Sequence, residues 1–131
     1  MKGFEEQESD RCKSDRLVYT VLFNGKDDVT HFRDEYFLWD TRENGNATTR
    51  LVDASRMGFL RLPEDFRSEW HPAPRKQFVM VLEGVMEVEA GDGERRTFSS
   101  GSVLKVTDTG CRGHRTNTLN RRRVMLVWVP V

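Results

Sequence analysis

Short runs of apolar and β-branched residues recur along most of this chain, and turn residues separate them. The first run, residues 17–23 (LVYTVLF), ends at Asn24-Gly25, a strong turn signal. Runs at 77–83, 85–90 and 124–129 have the length of strands and lie next to turns. Short strands with turns between them are typical of an all-β sandwich or barrel.

The remaining segments predict a further set of strands and no long amphipathic helix. Residues 63–66 are compatible with a short helical turn that begins at a proline. The other strand candidates are 29–32, 35–39, 48–52, 57–62, 95–98 and 102–107.

Two of the runs, 78–82 and 124–129, are apolar on both faces of the strand. A strand with one face in water would alternate apolar with polar residues. One face therefore fills the barrel, and a second sheet or a partner subunit covers the other. We accordingly expect a homodimer, because a wide exposed apolar patch is unfavourable.

The length of 131 residues corresponds to one domain, and no internal repeat is visible. Residues 1–15 are polar except for Met1 and Phe4, which predicts a flexible N-terminal arm. Residues 16–131 are then the single β domain.

The formal net charge of the chain is zero, since 21 lysines and arginines balance 21 aspartates and glutamates. A zero net charge provides no basic field for nucleic acid. No run approaches the ~18 apolar residues of a membrane helix, and the N-terminus lacks the apolar core of a signal peptide. We therefore expect a cytoplasmic protein with no nucleic-acid or membrane partner. Its two cysteines, Cys12 and Cys111, are expected to be free thiols.

Candidate site residues concentrate in two segments. The stretch from Trp70 to Gly84 places a histidine, two prolines and a glutamine directly before or at the start of an apolar strand. The second segment is Gly110-Cys111-Arg112-Gly113-His114. If the barrel holds a functional pocket, these two segments are expected to form it.

The region from Trp70 to His114 resembles the small single-domain cupins, and the resemblance extends over residues 17–129. Their first motif reads glycine, five residues, His-x-His, three or four residues, glutamate, six residues, glycine. This chain has His71, then Ala73 in place of the second histidine, Gln77 in place of glutamate, and Gly84. The resemblance implies a double-stranded β-helix, the jelly-roll barrel of cupins.

The second cupin motif reads glycine, five residues, proline-x-glycine, two residues, histidine, three residues, asparagine. Gly101 opens the corresponding region here, and Gly110 and His114 lie close to register. Thr118 stands in place of the asparagine, and no proline precedes the central glycine. The resemblance is specific for the fold, whereas the functions of cupins range from oxygenases and isomerases to sugar-binding regulators.

The resemblance implies a metal site of three histidines and a carboxylate that holds iron, manganese, nickel or zinc. Only His71 and His114 match here, with Gln77 as a weak, uncharged ligand. The alternative is that both histidines simply hydrogen-bond within a polar pocket. Candidates for the missing ligands are His31, Asp108 and Cys111.

Cationic side chains adjoin both segments, at Arg75, Lys76 and Arg112. They either recognise a carboxylate or phosphate on a small ligand or form a solvated rim. Trp70 is expected to wall the pocket, and the run 121–123 to be a solvated turn.

The first functional hypothesis is a small-molecule-binding cupin whose pocket is lined by Trp70, His71, Arg75, Gln77 and His114. The alternative is a metal-dependent cupin enzyme, an oxygenase or isomerase that acts on a small polar substrate. In a third hypothesis the barrel is only the scaffold of a structural or regulatory dimer. The sequence assigns no catalytic residue and names no ligand.

Overall fold

The computed structural model describes residues 15–131, which form eleven β-strands and no helix. No helix that could cross a membrane occurs in this part of the chain. The strands are β1 (Arg16–Asn24), β2 (Thr30–Leu38), β3 (Asp40–Thr41), β4 (Ala47–Thr48), β5 (Gly58–Leu62), β6 (Gln77–Glu83), β7 (Val85–Glu89), β8 (Arg95–Ser99), β9 (Val103–Val106), β10 (Arg115–Thr118) and β11 (Val124–Pro130).

The strands form two main sheets in the order of a jelly roll. The larger sheet has the order β2-β1-β9-β6-β11-β5, and the smaller has the order β10-β7-β8. Isolated bridges Arg67–Asn117 and His71–His114 place the segment 67–71 beside β10 as a further, irregular edge. From β5 onward the chain thus passes back and forth between two layers. One consists of β9, β6, β11 and β5, and the other of β10, β7, β8 and the segment 67–71, as in a double-stranded β-helix. The predicted all-β jelly-roll fold is confirmed.

The long hairpin of β1 and β2 extends the larger sheet. Asn24 pairs with Thr30 across the turn and Arg16 pairs with Leu38 at the open end, without a break in register. The two predicted segments 29–32 and 35–39 are therefore one strand. A parallel pairing of β1 with β9 attaches this hairpin to the jelly roll.

The predicted strand over 48–52 is wrong. Residues 49–57 belong to no strand, and β4 pairs only with the equally short β3. Leu51 is 93% exposed, so its apolar side chain finds no sheet face to pack on. The strand β10 was not predicted, because its sequence RTNT is polar and its backbone pairing with β7 decides its conformation.

The main core lies between the two sheets. Leu22, Val81, Leu104 and Val124 are its largest fully buried side chains. Each such side chain stabilises the fold by about 1.5–3 kcal/mol relative to an exposed position.

A second, smaller cluster covers the outer face of the larger sheet. The rings of Tyr19 and Phe37 stack with centroids 4.9 Å apart, and Phe78 meets Tyr19 edge-on at 5.5 Å. The guanidinium of Arg50 lies 4.8 Å from the Phe37 ring, and the ammonium of Lys105 lies 5.5 Å from the Phe78 ring. Side chains of the same chain thus cover part of the face that suggested a partner subunit. The homodimer itself stays a prediction.

The predicted N-terminal arm, residues 1–15, falls almost entirely outside the described residues. Only Asp15 is described, and its carbonyl accepts a hydrogen bond from the backbone N–H of Trp39 at 3.0 Å.

Candidate functional site

A cavity of about 610 Å³ lies between the two sheets. This volume is within the range of ~300–1,000 Å³ typical of small-molecule sites. Both sheets contribute to the wall, which is mostly apolar. Its principal apolar residues are Leu22, Leu62, Phe66, Val79, Met86, Val88, Leu104, Val106, Leu126 and Trp128. The polar side chains that reach it are Arg61, His71, Arg75, Gln77, His114 and Thr116.

Two histidines from the two candidate segments meet at this cavity. The backbone N–H of His71 donates to the carbonyl of His114 at 2.9 Å, and the reverse bond measures 3.0 Å. The imidazole centroids lie 4.7 Å apart with the ring planes at 55°. The backbone pairing of a short bridge therefore brings the two side chains together.

Gly113 permits this close approach. Its φ is +85°, a left-handed conformation that favours glycine. A Cβ atom at this position would overlap the backbone carbonyl of His71. Gly113, directly before His114, is thus the feature of the sequence that indicates a close backbone contact with His71.

The imidazole of His114 is oriented by a buried carboxylate. Oδ2 of Asp108 lies 2.6 Å from Nδ1 of His114, and the Asp108 residue is 0% exposed. Within the described chain, the other carboxylate oxygen of Asp108 has no hydrogen-bond partner. This contact engages Nδ1, so the opposite nitrogen, Nε2, is the ring nitrogen of His114 that is left for the cavity.

The imidazole of His71 is oriented by the backbone. Its Nδ1 lies 2.9 Å from the carbonyl oxygen of Glu69. A carbonyl oxygen cannot donate, so Nδ1 must carry the hydrogen, and Nε2 of the neutral ring carries the lone pair. Both histidines are thus held through Nδ1, which leaves Nε2 for a ligand.

Gln77 and Ala73 occupy the positions of the two missing cupin ligands. Both line the cavity, and Ala73 is 4% exposed. The Oε1 atom of Gln77 is buried without a hydrogen-bond partner among residues 15–131. The cavity therefore has the amide of Gln77, with its unpaired oxygen, in the position of the carboxylate. The methyl group of Ala73 takes the position of the imidazole, so the usual metal site is incomplete.

The additional ligand candidates do not join the histidine pair. Asp108 lies behind the ring of His114, and Sγ of Cys111 donates to the Asp108 backbone carbonyl at 3.3 Å. Burial raises the pKa of the Cys111 thiol, which disfavours the thiolate that binds metals. No cluster of three or more histidine, cysteine, aspartate or glutamate side chains within residues 15–131 could hold a metal.

His31, the third candidate, is engaged elsewhere. Its Nε2 lies 2.9 Å from Oδ2 of Asp27, and its Nδ1 lies 3.0 Å from Oδ2 of Asp92. The pKa of His31 is raised mainly by its hydrogen bond with Asp27, and the hydrogen bond with Asp92 raises it further. His31 thus connects the β1–β2 turn to the β7–β8 turn. Two imidazoles and one weakly donating amide oxygen fit a strong transition-metal centre poorly, because such centres use at least three good protein donors.

The predicted cationic and aromatic pocket residues separate into two groups. Arg75 lines the cavity, and its guanidinium lies 5.5 Å from the ring of Trp128. Trp70, in contrast, is not part of the wall, and its ring is contacted by Arg112 at 4.1 Å and Arg115 at 5.0 Å. Trp70 lies at a bend directly before His71, and its ring packs against these two guanidinium groups and does not line the cavity.

Trp128 lines the cavity, although the sequence analysis did not predict it as a cavity residue. It lies two positions after Leu126 on β11, and both line the cavity. Strand periodicity places such residues on the same face, so the pattern contained the signal.

No family model and no curated protein matches this chain. Solved structures with a similar strand arrangement include three cupin-type proteins. CENP-C of Drosophila melanogaster bound to CAL1 has 13% identity and a TM-score of 0.47, over 72% of this chain and 80% of that one. The Cnp3 cupin domain of Schizosaccharomyces pombe has 15% identity and a TM-score of 0.44, over 88% and 82%.

The third is QdtA, a sugar 3,4-ketoisomerase from Thermoanaerobacterium thermosaccharolyticum in complex with TDP. It has 13% identity and a TM-score of 0.46, over 89% of this chain and 81% of that one. At such low identities and TM-scores, none of these similarities indicates a ligand, an activity or a partner. The strand order of the two sheets shows the fold, and the chain is a small protein with a cupin-type jelly roll.

Proposed function

We propose that this protein binds a small molecule in the cavity between its two sheets, with the polar part of the ligand at His71 and His114. The observation that carries the proposal is a mostly apolar cavity of about 610 Å³ that is lined by two neighbouring imidazoles, the exposed His71 and the buried His114. A few convergent polar groups in an apolar pocket are the usual composition of a ligand site.

The polar groups of the cavity favour a ligand with hydrogen-bond donors. Nε2 of each neutral imidazole is an acceptor, and Oε1 of Gln77 is a buried acceptor without a partner. Leaving such an atom unpaired costs about 1–3 kcal/mol, which a ligand hydroxyl or amine would recover. Arg61 and Arg75 also reach the cavity and could pair with an anionic substituent.

The presence of the cavity also favours ligand binding over a purely structural role of the barrel. A barrel that served only as a scaffold would be expected to fill its interior with bulky side chains, since protein cores are close-packed. Here the position of a missing cupin ligand is occupied by the small Ala73. The metal-dependent alternative has less support, because His71 and His114 are the two good donors at the cavity and Gln77 is a weak third.

A titration with 1-anilinonaphthalene-8-sulfonate tests the proposal, because this probe combines an apolar body with one anionic group. We expect saturable fluorescence enhancement with one probe per chain. The variant Ala73→Phe, which fills the cavity, should abolish this binding, and the control variant Ala47→Phe, at an exposed position of β4, should retain it. Cooperative thermal unfolding of both variants verifies that they are folded. Equal binding by wild type and Ala73→Phe would exclude the cavity as the site.

A further inference from the structure

We infer that the ligand of the cavity is an apolar hydroxycarboxylic acid, whose carboxylate pairs with Arg75 and whose hydroxyl donates to Oε1 of Gln77. The inference rests on the proposed function, because it concerns a molecule held in that same cavity. It goes further in assigning the chemical class of the ligand and the two residues that select it.

The first support is the charge of the cavity wall. Arg61 and Arg75 line the cavity, and no aspartate or glutamate of residues 15–131 does so. In this part of the chain, neither guanidinium has a carboxylate oxygen within 4.0 Å. The planar fork of an arginine matches a carboxylate with two hydrogen bonds, so this wall favours an anionic ligand. The same two charges disfavour a ligand that carries an ammonium group.

The second support is the fixed backbone on both sides of Arg75. The N–H of Ala73 donates to the carbonyl of Asp108 at 3.2 Å. The N–H of Val131 donates to the carbonyl of Lys76 at 3.0 Å. Arg75 is exposed and also lines the cavity, so these two bonds hold it at the cavity opening.

The Arg75 side chain is placed by Trp128. Its guanidinium lies 5.5 Å from the centroid of the Trp128 ring, which is a cation–π contact. Gly58 of β5 pairs with Trp128, and a Cβ at Gly58 would lie 2.8 Å from two atoms of the indole. The missing side chain therefore lets the indole lie against β5. A guanidinium that is placed before the ligand arrives loses less conformational entropy on binding.

The third support is the position of Gln77 relative to Arg75. Two residues span at most about 7 Å of backbone, so both polar side chains start from the same part of the wall. Oε1 of Gln77 is buried without a hydrogen-bond partner among residues 15–131. A carboxylate only accepts hydrogen bonds and cannot satisfy this oxygen, whereas a hydroxyl close to the carboxylate can donate to it.

The rest of the ligand is apolar because the interior wall is apolar. The buried residues that line this part are Leu22, Val79, Leu104 and Val106. Burial of apolar surface contributes about 25 cal/mol per Å². A hydroxy acid with an aliphatic or aromatic body is therefore held more tightly than one without.

Isothermal titration calorimetry with four matched compounds tests the inference. The first, 2-hydroxyoctanoate, carries the carboxylate, the hydroxyl and an apolar body. Octane-1,2-diol lacks the carboxylate, octanoate lacks the hydroxyl, and 2-aminooctanoate has an ammonium group in place of the hydroxyl. We expect 2-hydroxyoctanoate to bind at least about tenfold more tightly than the diol and 2-aminooctanoate, and about fivefold more tightly than octanoate.

Variants assign each preference to its residue. In Arg75→Gln, the preference for 2-hydroxyoctanoate over the diol should fall to within about twofold. In Gln77→Met, which keeps the length of the side chain, the preference over octanoate should fall to the same level. The matched control is Lys76→Gln, because Lys76 is a neighbouring cation that does not line the cavity, and this variant should retain both preferences. Cooperative thermal unfolding verifies that all three variants are folded.

Displacement of 1-anilinonaphthalene-8-sulfonate distinguishes failure of this inference from failure of the proposed function. If this probe binds and 2-hydroxyoctanoate does not displace it, or all four compounds displace it equally, the inference is overturned and binding in the cavity stands. A preference that survives in Arg75→Gln, or that Lys76→Gln removes, would also overturn the inference. If neither the probe nor any of the four compounds binds, both proposals fail.

Discussion

His71 and His114 exchange two backbone hydrogen bonds, and this exchange holds their imidazoles 4.7 Å apart at the wall of the cavity. The contact joins the segment before β6 to the segment before β10. It is an isolated bridge rather than part of a long ladder, so its formation depends on the few residues around it.

Gly113→Ala tests that dependence. The new methyl group would overlap the carbonyl of His71, and alanine is strained at a φ of +85°. The matched control is Gly93→Ala, because Gly93 has a φ of +93° but no atom within contact of the added carbon. We expect Gly113→Ala to be at least about 2 kcal/mol more destabilising than the control in urea denaturation. Equal losses would show that only backbone strain matters and that the close approach does not.

Thr30→Val tests how the histidine loop is attached to the rest of the barrel. The Thr30 hydroxyl donates to the carbonyl of Gly113 at 2.8 Å and accepts from the N–H of Gly91 at 2.5 Å. Because Thr30 is 2% exposed, the variant leaves the buried carbonyl of Gly113 and the half-buried N–H of Gly91 without this partner, and it should cost about 1–3 kcal/mol in chemical denaturation. The exposed Thr97→Val on β8 should be nearly neutral. A neutral Thr30→Val would mean that the loop is held by other contacts.

Stability should depend on pH through the pair of His31 and Asp27. Their hydrogen bond raises the pKa of His31 and lowers that of Asp27. The contribution of His31 is therefore complete below its unfolded pKa and is lost as the pH rises through its raised folded value. The contribution of Asp27 is complete above its unfolded pKa and is lost as the pH falls through its lowered value. The pair should stabilise the fold most between about pH 4 and pH 6.5.

Thermal unfolding of wild type and His31→Gln across the pH range measures this effect. The difference in Tm should be largest within that interval and should decrease at higher pH as His31 loses its proton. The mutant, in which residue 31 no longer titrates, should show a weaker decline of Tm above neutral pH. A difference in Tm that is independent of pH would contradict the assignment.

The metal content of the protein separates the proposed binding module from the metal-dependent alternative. With two imidazoles and one amide at the cavity, we expect well under one equivalent of iron, manganese, nickel or zinc after purification without chelators and after reconstitution. Elemental analysis of freshly purified protein measures this directly. Stoichiometric metal that disappears in His71→Ala and His114→Ala would restore the metalloenzyme hypothesis.

Local patterns in the sequence predicted an all-β sandwich or barrel, and the resemblance to cupins specified the jelly roll. The apolar strands β6 and β11 were visible as runs, and Asn24-Gly25 marked the hairpin turn between β1 and β2. The cavity was located through His71 and His114, which the structure does bring together. Strand β10 escaped prediction because its residues are polar, and the register with β7 determines its conformation.

The sequence by itself determined most of the segments that form strands and the two segments that meet at the cavity, since alternation, turn residues and motif spacing are local properties. Only the tertiary structure decided what each candidate side chain does. His31 and Asp108 were equivalent as candidate ligands, yet one joins two surface turns and the other is buried behind His114. The direction of a side chain and its partners depend on which strands pair and in which register, and pairings between distant residues leave no local pattern in the chain.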